Sequence, residues 1–216
     1  IQLADDFLRS VFLDMFGDLA TNAKGWDVKA IKEFATVTTG NTPSRKMPEY
    51  YGNDVEWIKS GNINTPQHTI TMATEYLSNE GVKVARTVPK GSTLITCIAG
   101  SFDCIGNAAY TDREVSFNQQ INALTPTNGV LSWFLYALVL FSKKTIQNAS
   151  TNSMKGMISK GKLQEVKLIL PPIELQRKFE DIFAKQINSI ELMNQSHKHS
   201  NETFHSLSQK AFAGEL

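Results

Sequence analysis

The chain has 216 residues, enough for one well-filled core or for a globular domain with an appendage. Its 41% hydrophobic content is ordinary, and a formal net charge of +1 excludes a uniformly basic nucleic-acid binder, so any DNA-binding face must come from local clustering. The first residues lack a basic segment followed by an apolar run, and the longest apolar stretch, Trp133 to Phe141, is too short to span a bilayer, so a cytoplasmic chain without membrane contact is expected.

The pattern divides into three zones: 1–25, 26–172 and 173–216. In the first, Leu3, Phe7, Leu8, Val11, Phe12, Met15 and Phe16 recur at helical spacing. Gly17 follows as a C-terminal stop, and Asn22 to Gly25 reads as a linker. The second zone is an α+β domain. Strands are predicted at Val55 to Ile58, Thr93 to Ile98, Gln120 to Leu124 and Val166 to Leu170, separated by Gly, Asn, Pro and Ser clusters. Helices are predicted at Val28 to Phe34 and Ser132 to Phe141. Cys97 and Cys104 form no CxxC and stand at no zinc-site spacing from His68, His197, His199 or His205. Reduced, packed thiols and no metal are expected.

The third zone starts at two prolines, which the first turn of a helix tolerates. Phe179, Ile182, Phe183, Ile187, Ile190, Met193, Phe204 and Leu207 then keep helical spacing without interruption before Gly214. Forty residues would make a rod of about 60 Å. Such a stripe must be buried against something, and its polar stretch near His197 and Asn201 favours a specific mate over a plain zipper. The two ends of the chain also match: Phe7, Met15, Gly17, Asp18 and Leu19 align at one constant interval with Phe204, Phe212, Gly214, Glu215 and Leu216. This is the pattern of a chain cut from a repeat of about 200 residues, ordered helix, domain, helix.

Three motifs suggest catalysis and fail. Gly156 to Lys162 resembles a P-loop, but Leu163 stands where a hydroxyl should hold magnesium, and a strand rather than a helix is expected to follow. Leu170-Pro171-Pro172-Ile173 lacks the Asn or Asp with which adenine methyltransferases bind the amino group. Glu165-Val166-Lys167 has a nuclease spacing without a partner Asp, and reads as alternating charge on the wet face of a strand. No cofactor is expected.

Polar and basic clusters point instead to DNA. Between Lys143 and Lys167 stand Lys143, Lys144, Lys155, Lys160, Lys162 and Lys167 against a single acid, Glu165, interleaved with Asn152 and other polar residues. Further stretches carry Thr42, Ser44, Arg45 and Lys46; then Lys59, Ser60, Asn62 and Asn64; then Asn118, Gln119 and Gln120. Amides suit bidentate contacts to adenine, arginine suits guanine, and lysines suit phosphates. A structural turn is the rival reading for the Asn-Gln-Gln run, and a solvated loop for the lysine segment.

The ordered set of motifs resembles the target-recognition domain of type I restriction-modification specificity subunits. The motifs are Thr39-Gly40-Asn41-Thr42-Pro43-Ser44, Glu56-Trp57-Ile58-Lys59-Ser60-Gly61-Asn62-Ile63, Val88 to Ile95, Gly100-Ser101 with Ile105-Gly106, Phe117 to Ile121, Leu170-Pro171-Pro172 with Gln176, and Phe212 to Leu216. The resemblance implies a non-catalytic subunit. Members carry two recognition domains, each reading half of a split double-stranded DNA target, joined by two long antiparallel helices. The helices set the half-site spacing and dock adenine-methylating modification subunits, with restriction subunits further out. This sequence departs from that pattern in having one recognition domain. A second half is therefore expected, by covalent fusion or by homodimerisation that would read a palindrome. The long helix would pair through Phe179, Ile182, Phe183, Ile187, Ile190, Met193, Phe204 and Leu207 as an antiparallel coiled coil. Two rival readings are a stand-alone DNA-modifying or DNA-cleaving enzyme and a helical adaptor that binds only proteins.

Overall fold

A computed structural model describes residues 2–127, 129–150 and 156–213. In chain order the elements are α1 (Gln2–Phe16), β1 (Val28–Ala30), α2 (Ile31–Phe34), β2 (Ala35–Thr39), β3 (Tyr51–Gly52), β4 (Val55–Ile58), β5 (Tyr76–Leu77) and α3 (Asn79–Val84). There follow β6 (Thr87–Val88), β7 (Thr93–Thr96), β8 (Ala108–Tyr110), β9 (Val115–Phe117), β10 (Ile121–Pro126), α4 (Ser132–Phe141), α5 (Lys143–Asn148), α6 (Lys160–Glu165), β11 (Lys167–Ile169) and α7 (Ile173–Ala213).

Alternation along the strands explains how the layers stack. On β7, Leu94 and Ile95 are both fully buried, on opposite faces. Ile95 joins a core with Leu124, Tyr110 and the helices, whereas Leu94 joins a second core with Ile121, Ala123, Ala109, Phe117 and Ile58. The antiparallel sheet β2-β10-β7-β8 is therefore the middle layer, with β7, β8 and the first four residues of β10 buried along their length. On one side lie α1, α4 and the first turns of α7; on the other lies the mixed sheet β3-β5-β4-β9-β6, in which β4 and β9 pair in parallel. A small antiparallel pair, β1 with β11, closes the domain beneath the start of α7.

Helix α4 is buried continuously from Phe134 to Val139, as expected for a helix apolar on all sides. Its N-terminus has no cap of its own and borrows two from α7. Gln176, fully buried, accepts from the Leu131 N–H at 3.0 Å and donates to the carbonyls of Gly129 (3.0 Å) and Pro171 (2.8 Å). Glu180 accepts from the Trp133 N–H at 2.7 Å, placing a carboxylate at the positive end of the helix. The glutamine of the Leu-Pro-Pro motif thus locks α7 to the α4 entrance. Phe12 from α1 stacks on Phe134 and meets Phe179 edge-on, and Phe16 meets both edge-on, with centroids 5.2–6.2 Å apart, joining the three helices. Gly17, at φ +80°, donates to the Leu13 carbonyl and ends α1 in the left-handed conformation that glycine favours.

A buried contact ties the sheets to the helices. His68 lies 2.9 Å from both the Tyr136 hydroxyl and the Asp5 carboxylate, with its ring against Phe183. Burial depresses the His68 pKa more than Asp5 raises it, and burial also raises that of Tyr136. The imidazole is therefore neutral: Nε2–H donates to Asp5, and Nδ1 accepts from the Tyr136 O–H, a tautomer assigned from the partners.

Four expectations are corrected. Val28 to Phe34 is not one helix, because Val28, Lys29 and Ala30 pair with β11 and only Ile31–Phe34 turns. Glu165 ends α6 rather than lying on a strand, and its partner is Lys32 at 2.6 Å. A short helix, α6, does follow the P-loop-like segment, but Lys160, Gly161 and Lys162 lie inside it, capped by Ser159, so no cradle is formed. Finally, the apolar stripe of α7 is divided. Phe179, Phe183 and Ile187 are buried, and Ile190 is partly buried, within this chain against α1 and α4, so they are not free for an external mate. Ile182 is half-buried, whereas Met193 (70% exposed), Phe204 (68%), Leu207 (48%) and Phe212 (95%) project into solvent.

Candidate nucleic-acid interface

Three of the polar stretches converge on one edge of the domain. The chain leaves β2 at Gly40, whose N–H donates to the Ile121 carbonyl while Asn41 N–H donates to Phe117. A Cβ on Gly40 would sit 2.2 Å from the Asn118 carbonyl oxygen and 2.4 Å from that of Phe117, so only glycine permits this approach. The loop 40–47 is thereby pressed against the turn 117–120. The turn in turn holds the end of β4, since Asn118 N–H donates to the Ile58 carbonyl at 3.0 Å. Thr42 donates to the Gln119 side chain, joining the two loops at their tips.

The side chains on this edge divide by what they already hold. Asn118 is buried: its amide donates to Gln120 Oε1, and its Oδ1 accepts from the Gln120 N–H at 3.1 Å. Asn118 thus serves the turn itself, while Gln119 is exposed and Gln120 half-buried. Asn62 is likewise engaged. Its Oδ1 accepts from the Lys59 N–H (3.0 Å), and its amide donates to Thr71 (3.1 Å) and the Met72 carbonyl (2.9 Å), shaping the 59–62 turn. Asn64 accepts from Thr96 and from Asn107, and Asn107 accepts in turn from Lys143. Ser44, through its Oγ, accepts from the Lys46 N–H, and Lys46 is exposed, while Ser60 is half-buried.

Arg45 and Lys59 share one carboxylate, Glu75, and both lie over Trp57, with Arg45 also over Tyr51. Hydrogen bonds from Lys59 and then Arg45 hold the Glu75 carboxyl below its usual pKa, so it is charged at neutral pH. Tyr51, Trp57 and Glu75 are absent from the sequence-based set, as is Arg86, which is exposed beside the loop. Arg86 donates to the Thr39 carbonyl through Nη1, and its N–H reaches Asn41 Oδ1. The motif Glu56-Trp57-Ile58 did mark Trp57, without a role.

The lysine segment meets the same edge through the backbone. Residues 156–158 run beside 97–99, which donate to the Gln120 carbonyl from Cys97 (2.8 Å) and Ile98 (3.1 Å). Lys144, Lys160, Lys162 and Lys167 are exposed, and Lys143 is half-buried on Asn107. Asn152 and Lys155 lie outside the described residues. Burial pushes the Cys97 thiol up to about 12, which makes it an inert packing group, and both cysteines are free. Among the described residues, no cluster of His, Cys, Asp and Glu has metal-site geometry, and no helix is long and apolar enough to cross a membrane.

An α+β domain with a convergent polar edge and a long trailing helix defines a class, and known proteins identify it. The family described as the type I restriction modification DNA specificity domain matches residues 23–199, and the chain belongs to that family. Relatives include the MjaIX specificity subunit of a type I restriction enzyme from Methanocaldococcus jannaschii, 31% identical over 174 residues, covering 77% of this chain and 39% of that protein. Another is the HindI specificity subunit from Haemophilus influenzae, 31% identical over 184 residues, covering 78% and 38%. The chain therefore spans about two fifths of the length of these relatives. The fold matches the HsdS subunit of Thermoanaerobacter tengcongensis with a TM-score of 0.58 at 17% identity, covering all of this chain and 52% of that one. It also matches a type I restriction-modification S subunit from M. genitalium, with a TM-score of 0.58 at 14% identity, covering 95% and 51%.

Proposed function

We propose that this chain is the DNA-reading component of a type I restriction-modification system, recognising one half of a split target and catalysing nothing itself. What carries the reading is the convergence of loops 40–47, 59–64 and 117–120 at one edge, drawn together by Gly40, in a family defined by DNA specificity. Arg45, Lys46, Lys59, Gln119, Thr42, Ser44, Ser60 and Asn64 would face the groove. Asn62, Asn118 and Gln120 would hold the loops in shape, and Asn152 and Lys155 would contribute from the lysine segment. The structural unit 26–172 would read DNA, and 173–216 would set spacing and dock partners.

The partners implied are adenine-methylating modification subunits, restriction subunits and a second recognition half, fused or homodimeric, in the cytoplasm. The exposed stripe of Met193, Phe204 and Leu207 would provide the antiparallel coiled-coil contact that Phe179, Phe183 and Ile187 cannot. Titration of the purified chain against duplex DNA over a range of salt concentrations tests the reading. Log affinity should fall linearly with log salt, and Lys46→Ala should shallow the slope by about one. Absence of duplex binding at low salt, with modification subunits present, would favour a protein-only adaptor.

A further inference from the structure

We infer that Arg45 reads a guanine, held ready by Tyr51, Trp57 and Glu75. This rests on the DNA-recognition reading above and names one base contact within it. The guanidinium carbon lies 4.2 Å from the Tyr51 ring centroid and 5.2 Å from that of Trp57, and the two rings stand at 80° with centroids 6.3 Å apart. Both rings are fixed by their polar tips to the loop that carries Arg45. The Tyr51 hydroxyl donates to the Pro43 carbonyl at 2.7 Å, and Trp57 Nε1 donates to the Asn41 carbonyl at 3.2 Å. Glu75 takes the third side of the plane, accepting from Nη2.

Cation–π contact with the two ring faces confines the guanidinium, and the carboxylate holds one of its edges. The rotamer freedom of a long side chain, ordinarily lost on binding, is therefore largely removed in advance. The side chain nevertheless remains 55% exposed, and among the described residues Nη2 on Glu75 accounts for its hydrogen bonds. Glu75 takes one Nη2–H, and the other Nη2–H, with the N–H beside it on Nη1 or Nε, leaves a bidentate edge for a ligand with two adjacent acceptors.

A phosphate contact would not call for this arrangement. Phosphate can also take a planar fork, but a carboxylate held in its charged form beside the guanidinium repels an anion. Lys46, next in the chain and exposed, suits phosphate better. Adenine presents one acceptor and one donor in the major groove, whereas guanine presents O6 and N7, both acceptors, matching a planar donor fork. The amides of Asn62 and Asn118, two rival base readers on this edge, are already engaged within the protein.

Selection from a pool of random duplexes by the full chain tests the assignment, comparing wild type with Arg45→Ala, Arg45→Lys, Glu75→Gln and Lys46→Ala. The wild-type motif should contain a G·C pair that becomes degenerate in Arg45→Ala, with a loss of about 5- to 150-fold on the cognate duplex. Duplexes already mismatched at that pair should change little. Arg45→Lys should lose the same preference, because a point charge lacks the fork, and Glu75→Gln should narrow discrimination at that pair alone. Lys46→Ala should weaken all sequences equally and leave the motif intact. Circular dichroism melts on each variant establish that the fold is kept, and Arg45→Lys and Glu75→Gln carry the test if Arg45→Ala unfolds. An unchanged motif, or uniform weakening of all sequences by Arg45→Ala, overturns the assignment to guanine while leaving DNA reading in place. A wild-type chain that enriches no motif overturns the recognition reading itself.

Discussion

The two halves of α7 carry the same kind of apolar stripe and meet opposite fates. From Ile173 to Ile190 the stripe closes the core: Phe179 and Phe183 are fully buried, and Gln176 and Glu180 cap α4. Beyond Ile190 the same periodicity continues into solvent with Met193, Phe204, Leu207 and Phe212. Helical spacing therefore signals that a face will be buried, but not by what. The first half belongs to the stability of this chain, and the second to association under the proposed function.

The largest effect expected from breaking this contrast is at Phe179. Phe179→Ala removes a ring shared by α1, α4 and α7, and should cost about 3–5 kcal/mol in chemical denaturation. Gln176→Ala should follow. It strands the Leu131 N–H and the carbonyls of Gly129 and Pro171 near a buried helix end, at about 1–3 kcal/mol for each group that water cannot reach. Gln176→Glu should also destabilise, because it keeps the acceptor but loses the amide donor.

His68 sharpens the comparison by adding pH. Its folded pKa lies below the usual 6.5 because of burial, so in the window below 6.5 the unfolded chain binds the extra proton. Stability should be level above that value and fall as pH drops through it. His68→Gln should flatten this part of the profile in urea melts recorded from pH 7.5 to 5. A profile that rises on acidification would show the imidazole to be charged and ion-paired to Asp5. The smallest effect is expected from Phe204→Ser. The unfolding free energy of the dilute chain should move by no more than about 0.5 kcal/mol, since the side chain touches little of its own core. Association with a second recognition half should nevertheless weaken in sedimentation velocity.

Local and periodic features were legible in the sequence. The amphipathic pattern marked α1 and α7, the uniform apolar run marked α4, and Val55–Ile58 was read as β4 to the residue. Val28–Ala30 was misread because only β11, far along the chain, makes it a strand. The same kind of limit applies to the candidate site. Thr42, Arg45 and Lys59 were visible as polar loop residues, but Glu75 joins them only after β5 pairs with β4. Asn62 and Asn118 looked like base readers because residue type cannot reveal that an amide is already bonded to its own turn. The role of Gln176 beyond its motif is not legible in the sequence, since two of its three partners, Gly129 and Leu131, lie more than forty residues earlier.

The most direct test of the central claim is methylome sequencing of cells that express this chain together with a type I modification subunit. Adenine methylation is expected at a split motif that is absent when the modification subunit is expressed alone, and that loses a G·C requirement in each half-site read by this chain with Arg45→Ala. No methylated motif, or the same motif with and without this chain, would contradict it.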